Sequence, residues 1–335
     1  MERRKDLDFA KGVGIVLMVL GHSYSAGNGE SLLRWLYSFH MPLFFIVPGI
    51  VSASYSAKES AGIWSVIQKK ARRLLVPYFF FATIASILLC VIGRKTLDTF
   101  GTYMWRIATL QGINAMWFLP CFLFAEILMK AVKGKTGTYG NYLAAILGIL
   151  AVFVPIVKEA APMLQRVLIG ASFCGLGWIL AKPYTVRINK AVWAVCAIAH
   201  LILAKANGLV DLAYGVYGNA ILYYMNGLLG TFVVVQFYHM VRETMADRLL
   251  VWLGQNTIVV LCTSSLVIEI IRLLDYKLFD NMLPRCGFWE GVLMCAITML
   301  AEVPIILFCN KYLQFAVGKG KRVKSENGAR GTADT

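Results

Sequence analysis

The residue whose type and setting most suggest chemistry is His22, in the apolar run Ile15-Val16-Leu17-Met18-Val19-Leu20-Gly21-His22. An imidazole held away from water disfavours its charged form, and a neutral imidazole is a competent general base or nucleophile. If the run is helical, Lys11 and His22 are separated by about 1100°, three turns plus about 20°. Asp8 and His22 are separated by four turns less about 40°. Asp8, Lys11 and His22 therefore share one stripe, with the imidazole roughly 16 Å deeper than the lysine. Such a stripe offers a cation at the mouth and a base in a water-poor interior. The plainer alternative keeps Asp8 and Lys11 as interface markers and gives His22 one buried hydrogen bond.

A second cluster is basic. Lys69, Lys70, Arg72 and Arg73 precede Leu74-Leu75-Val76-Pro77-Tyr78. Guanidinium groups bind phosphates bidentately, so Lys70, Arg72 and Arg73 could clamp a phosphate-bearing acyl donor. The same residues would also serve as a membrane anchor touching anionic lipid. Weaker candidates are His40, at the start of an apolar run, and Trp117, beside Phe118-Leu119-Pro120. Glu126 has Lys130 four residues on, and Glu269 has Arg272 three residues on; both spacings suit helical ion pairs. Glu302 also lies in an apolar run. Asn219, Gln255 and Asn256 stand at starts of apolar runs and suit caps or interhelical hydrogen bonds. His200 and His239 have no partner pattern and read as structural.

The elements that must hold these groups follow from composition. The chain is 59% hydrophobic and only 15% charged over 335 residues, where soluble domains average about a quarter charged. This excludes a disordered chain, a secreted disulfide scaffold, a coiled coil and an ordinary cytosolic enzyme. It predicts an all-α, polytopic membrane bundle. A span needs about 20 apolar residues. Ten segments qualify: 9–27, 37–56, 74–93, 113–132, 141–157, 164–181, 188–205, 217–240, 251–273 and 288–312. With the N-terminus inside, 23 of the 33 lysines and arginines fall in inner segments, which places both termini in the cytoplasm. Asp6 and Asp8 are unusual for a signal peptide, and Ser23-Tyr24-Ser25 is a poor cleavage site, so the first run reads as a retained span. Residues 1–316 form the membrane domain, and 317–335 a polar cytoplasmic tail expected to be disordered. The net charge of +15 reads as loop charge rather than nucleic-acid binding, because no basic stretch is interleaved with aromatics. The eight cysteines show no spacing that suits a disulfide framework or a metal site.

The ordered motifs resemble those of the membrane acyltransferase-3 family. Arg4-Lys5-Asp6-Leu7-Asp8-Phe9-Ala10-Lys11-Gly12 followed by Leu20-Gly21-His22 looks like its first-span signature, a basic residue and then a histidine after ten positions. Phe39-His40-Met41-Pro42-Leu43-Phe44-Phe45 resembles its second-span opening, and Lys70-x-x-Arg73 its basic pair before the third span. Trp117-Phe118-Leu119, Asn219-Ala220-Ile221-Leu222-Tyr223-Tyr224 and Leu253-Gly254-Gln255-Asn256-Thr257 are similar to later blocks. The pattern is most similar to the fucose 4-O-acetylase-like branch. Two stretches depart from it: Val47-Pro48-Gly49, where the family commonly has Ser before Gly, and Leu261-Cys262-Thr263-Ser264-Ser265, where many relatives carry a histidine.

The resemblance implies a ten-helix cell-membrane enzyme that moves an acetyl or similar acyl group from acyl-CoA, acetyl-CoA above all, onto a hydroxyl of a cell-envelope carbohydrate. It implies no bound cofactor and no metal. It makes His22 the catalytic imidazole, either general base or acyl carrier, with Asp8 and Lys11 beside it. Lys70, Arg72 and Arg73 become the donor site. His40, Trp117, Glu126, Asn219 and Asn256 are candidate substrate contacts. A homodimer is one assembly the sequence allows. The rival reading from another class is a multi-span transporter or flippase of a lipid-linked sugar, which would also bury a few charges; no paired, related halves are visible in the sequence.

Overall fold

The computed structural model describes residues 4–25, 27–55, 63–153 and 161–318. Among these residues the chain is helical and has no strand beyond a single bridge between Asp211 and Val216. The helices are α1 Lys5–Ser23, α2 Glu30–Tyr37, α3 His40–Tyr55, α4 Ile63–Val91 and α5 Leu97–Ala108. After a 3-10 turn at Asn114–Trp117 come α6 Phe118–Thr136, α7 Tyr139–Val152, α8 Pro162–Ile179, α9 Ala181–Thr185 and α10 Lys190–Asn207. The last four are α11 Ala220–Val241, α12 Met245–Gln255, α13 Thr257–Phe279 and α14 Phe288–Tyr312.

Among the described residues each of the ten apolar segments is largely helical, while residue 26 of the first and residues 154–157 of the fifth lie outside the described residues. Seven helical stretches among the described residues are long and apolar enough to cross a membrane: Glu30–Ser54, Trp64–Val91, Asn114–Val132, Lys190–Asn207, Ala220–Val241, Thr257–Phe279 and Phe288–Tyr312. The protein is a multi-pass membrane protein. The outward faces of these helices are apolar: Val195, Ile198 and Ile202 on α10 and Leu300, Leu307 and Phe308 on α14 are exposed. In water such a surface would aggregate; against lipid tails it costs nothing. The three segments that fall short have visible reasons. α1 opens with Lys5, Asp6, Asp8 and Lys11, α7 is 14 residues long, and α8 carries Gln165, Arg166 and three glycines.

Helix α1 tolerates its charges because protein, not lipid, surrounds it. It packs on α2, α3, α11, α12, α13 and α14, and Phe9, Ala10, Ile15 and Val19 are fully buried. Its approach to α12 is backbone to backbone. A methyl group at Gly12 would lie 1.9 Å from the Leu250 carbonyl oxygen, and one at Gly254 only 1.8 Å from that of Asp8. Two glycines thus let the helices touch at the level of the Asp8–Lys11 ion pair, which closes at 2.6 Å.

Two boundaries differ from the sequence reading. The segment 251–273 is not one helix: residues 251–255 end α12, which Thr244 caps by accepting from the Asp247 N–H at 3.2 Å. The chain turns at Asn256, whose Nδ2 donates to the Trp252 carbonyl at 2.8 Å while its Oδ1 accepts from Asn310 at 2.9 Å. The apolar run Val251-Trp252-Leu253 hid this break. The third span starts early, at Ile63, so the basic cluster is helical and continuous with the apolar part. His200 is structural here. Its Nδ1 meets Asn226 Oδ1 at 3.1 Å and its ring stands edge-on to Phe39. Of the expected tail, Val317 is buried and Gly318 lies against the Arg73 backbone, while residues 319–335 lie outside the described residues.

The close crossing gives a direct test. Gly12→Ala forces a methyl into the Leu250 carbonyl and should cost about 1–3 kcal/mol, as overpacking does. Gly101→Ala, a helical position with nothing within 4 Å, should be neutral or slightly stabilising. Thermal unfolding of the detergent-purified variants reads both, and equal midpoints would show that the crossing has room.

Candidate active-site cavity

A cavity of about 510 Å³ opens between α1, α3, α8 and α13, within the size range of small-molecule sites. His22, on the last turn of α1, and His40, on the first turn of α3, both line it. The connection α1–α2–α3 folds back on itself so that these two ends meet. Tyr37 fastens the return by donating its hydroxyl to the Gly21 carbonyl at 3.0 Å, one residue before His22.

The two imidazoles are set differently. His40 is buried, and its Nδ1 is 2.9 Å from the Leu36 carbonyl oxygen. A carbonyl can only accept, so Nδ1 carries the proton and Nε2 keeps the lone pair. No hydrogen bond among the described residues reaches the His22 ring, and its open surface faces the cavity beside Leu261 and Ser265 of α13. Of the pair Ser264–Ser265, where relatives were expected to show histidine, Ser265 reaches the cavity and Ser264 is buried behind it.

The cavity lining is also cationic. Arg166, on the first turns of α8, stacks over the Trp117 ring with its guanidinium carbon 5.3 Å from the centroid. Gln165 anchors that turn, donating to the Ala151 carbonyl of α7 and accepting from the Tyr217 hydroxyl, both at 3.0 Å. Arg106 comes from α5 and Arg272 from α13. Arg272 donates to the Tyr24 carbonyl at 3.2 Å and lies 3.9 Å from Glu269, the i,i+3 pairing read from the sequence. Glu269 is also gripped by Arg94, through two hydrogen bonds of 3.0 and 2.8 Å. Asp211 belongs to the tight turn 211–216, where its side chain accepts from the Ala213 N–H at 2.8 Å. Burial raises the Asp211 carboxyl above its usual range, although the turn N–H groups and Arg166 pull the other way.

The Trp117 loop is held by α4. The Tyr78 hydroxyl donates to the Ile107 carbonyl and accepts from the Gly112 N–H, each at 3.1 Å. Gly112 has φ +74°, and a methyl there would lie 2.4 Å from the Trp117 backbone. Only glycine suits both the backbone angle and the contact.

The remaining candidates sit elsewhere. Asp8 and Lys11 pair at the α12 crossing and are not among the cavity walls. Lys70 Nζ meets Glu126 Oε1 at 2.5 Å, so Glu126 reaches across to α4 as well as having Lys130 in sequence register. Arg72 and Arg73 are exposed. Lys70 lies near the start of α4, about 30 Å along the helix from its Arg94 end, where the cavity is. Asn219 caps α11 by accepting from the Ile221 and Leu222 N–H groups, and Asn256 closes α12. The structure thus brings His22, His40 and Trp117 together and leaves the others at the far end of the bundle or in caps. Sequence reasoning passed over Arg106, Arg166 and Asp211. Arg166 carried a signal, since it is an ionisable residue inside an apolar segment. Among the described residues no three His, Cys, Asp or Glu side chains gather to hold a metal ion, and all eight cysteines are free.

Residues 4–307 match the family described as "Acyltransferase domain". Two nodulation proteins named NolL are similar to this chain. One, from Mesorhizobium japonicum, is 25% identical over 329 residues, covering 89% of this chain and 85% of its own. The other, from Sinorhizobium fredii, is 23% identical over 308 residues, covering 82% and 81%. No solved structure matches.

The Tyr78 clasp should be measurable. Tyr78→Phe removes both bonds but leaves the Gly112 N–H on the Arg106 carbonyl at 3.3 Å and the Ile107 carbonyl on the Leu110 N–H at 3.1 Å, so it should cost about 0.5–1.5 kcal/mol. Amide hydrogen exchange should quicken across residues 107–117 while α10 keeps its protection. Unchanged exchange in that loop would detach α4 from the placement of Trp117.

Proposed function

The chain belongs to the acyltransferase family it matches and is a multi-pass membrane acyltransferase; from that premise we propose that it moves an acetyl or similar acyl group from acyl-CoA to a hydroxyl of an envelope or exported carbohydrate, with His22 as the reactive imidazole. Ten spans would cross the membrane with both termini in the cytoplasm. Acyl-CoA would dock its phosphates on Arg72, Arg73 and Lys70 at the inner face. Lys70 would then exchange Glu126 for a phosphate. The thioester would enter along α1, where Asp8 holds Lys11 in place. The acceptor hydroxyl would approach from the other end, past Trp117.

In the direct route, His22 takes the proton of the acceptor hydroxyl as its oxygen attacks the thioester carbonyl. The carbon–sulfur bond then breaks, and the imidazolium returns the proton to the departing thiolate. In the two-step route the imidazole first carries the acyl group and the hydroxyl removes it. His40 supports either route, because its fixed tautomer turns the lone-pair Nε2 away from the Leu36 carbonyl. The observation that carries this reading is the convergence of two imidazoles on one cavity within a chain of this family.

Labelled acetyl-CoA tests it. His22→Ala should lower acyl transfer at least about 100-fold, as loss of a general base does, with wild-type insertion and thermal midpoint. Transfer at the wild-type rate in that variant would remove His22 from the mechanism. Arg73→Gln should raise the KM for acyl-CoA more than it changes kcat.

A further inference from the structure

We propose that the outer wall of this cavity is an anion-recognition subsite, with Arg166 and Arg106 as its free donors, and that the acceptor carbohydrate carries an oxyanion, a carboxylate or a phosphate, near the hydroxyl that is acylated. This rests on the acyl-transfer reading and adds the class of acceptor.

The first ground is the distribution of charge. Ten of the 33 lysines and arginines fall in the segments assigned to the outer side. Three of them, Arg106, Arg166 and Arg272, line this one cavity, and no lysine does. A topological anchor would instead favour the inner side and would not recess its cations in a cavity.

The second ground is what these guanidiniums touch. Among the described residues, neither Arg166 nor Arg106 forms a side-chain hydrogen bond or an ion pair within 4.0 Å. The contact with the Trp117 ring holds the Arg166 guanidinium in place and consumes none of its five N–H donors. A guanidinium held this way, with its donors unspent, suits bidentate binding of a carboxylate or phosphate. The cost of keeping a cation in an apolar segment also asks for a partner.

The third ground is that the acids nearby do not cancel this charge. Glu269 is already held by Arg94 and Arg272, and Arg94 is not a cavity wall. Asp211 spends one oxygen on its own turn and offsets part of the Arg166 charge, which leaves it one acid against the guanidiniums of Arg166 and Arg106. With three guanidiniums against two carboxylates, the cavity lining that holds His22 and His40 stays net positive.

The full chain in phosphatidylcholine nanodiscs, which present no net lipid charge, is titrated with two matched pairs. One pair is a glucuronic-acid-containing oligosaccharide and its carboxyl-reduced form. The other is an isoprenyl-diphosphate-linked disaccharide and the same lipid-linked sugar without phosphate. In at least one pair the charged member should bind about tenfold tighter or better, and the pair that does so tells a sugar acid from a carrier phosphate. Arg166→Gln and Arg106→Gln should each erase most of that preference. Arg166→Lys should restore only part, because an ammonium cannot fork. Arg285→Gln, at an exposed arginine paired with Asp280 outside the cavity, should leave the preference intact and controls for surface charge. Equal binding within both pairs, or a preference that survives both glutamine variants with wild-type thermal midpoints, overturns the proposal. Binding needs no turnover, so this result is separate from the acyl-transfer reading, which fails if no acceptor gains label from acetyl-CoA however tightly it binds.

Discussion

The structure depends on burying a polar helix. α1 carries Asp8, Lys11 and His22 on one stripe, and none of these could face lipid tails without a cost of several kcal/mol. The bundle surrounds α1 with six other helices, so its polar side chains meet protein groups or the cavity. This enclosure has a geometric condition. An acid and a base near the entry of α1 must be sheltered by backbone, and only glycine at positions 12 and 254 lets α12 come that close. The contact that shelters Asp8 also fixes the depth of α1, and hence the height at which His22 stands.

Much of the fold was legible because a bilayer imposes one strong rule: apolar runs of sufficient length must be helices. Seven helical stretches among the described residues obey it. What the rule does not encode is helix continuity inside the protein. Asn256 breaks a run that hydropathy reads through, because its side chain replaces ladder bonds that apolar neighbours would have kept. Nor does the rule reach the segments outside the membrane. α5, the Gly112 turn and the Asp211–Val216 turn supply much of the cavity's outer wall, yet they are short and mixed in composition.

The candidate site was legible only in part, for a related reason. Periodicity along one helix grouped Asp8, Lys11 and His22 by face, and the structure pairs the first two while His22 alone lines the cavity. It could not tell that 11 residues of rise divide the stripe into a paired end and an open end. His40 was visible as a polar residue at a span start, but its partnership with His22 arises from the fold-back through α2, which no local pattern records. Arg166 shows the limit most clearly. Its place in an apolar segment marked it as unusual, whereas its meaning depends on Trp117, which is 49 positions earlier in the sequence.

The cations at the two ends of the bundle are built differently, and the difference bears on what each can hold. Near the start of α4, Lys69, Lys70, Arg72 and Arg73 stand within two turns of one helix, and Lys69, Arg72 and Arg73 are exposed. Long solvated side chains on one helix adapt to a flexible, multiply charged partner and lose little when it leaves. At the cavity the cations are all arginines, delivered by three different helices, with one over the Trp117 ring and one tied to a backbone carbonyl. Positions fixed by three elements discriminate geometry, since a partner must match them rather than the reverse. The first arrangement suits a flexible charged partner that need only be captured. The second suits a partner whose shape must be distinguished, and His22 lines the same cavity as those arginines.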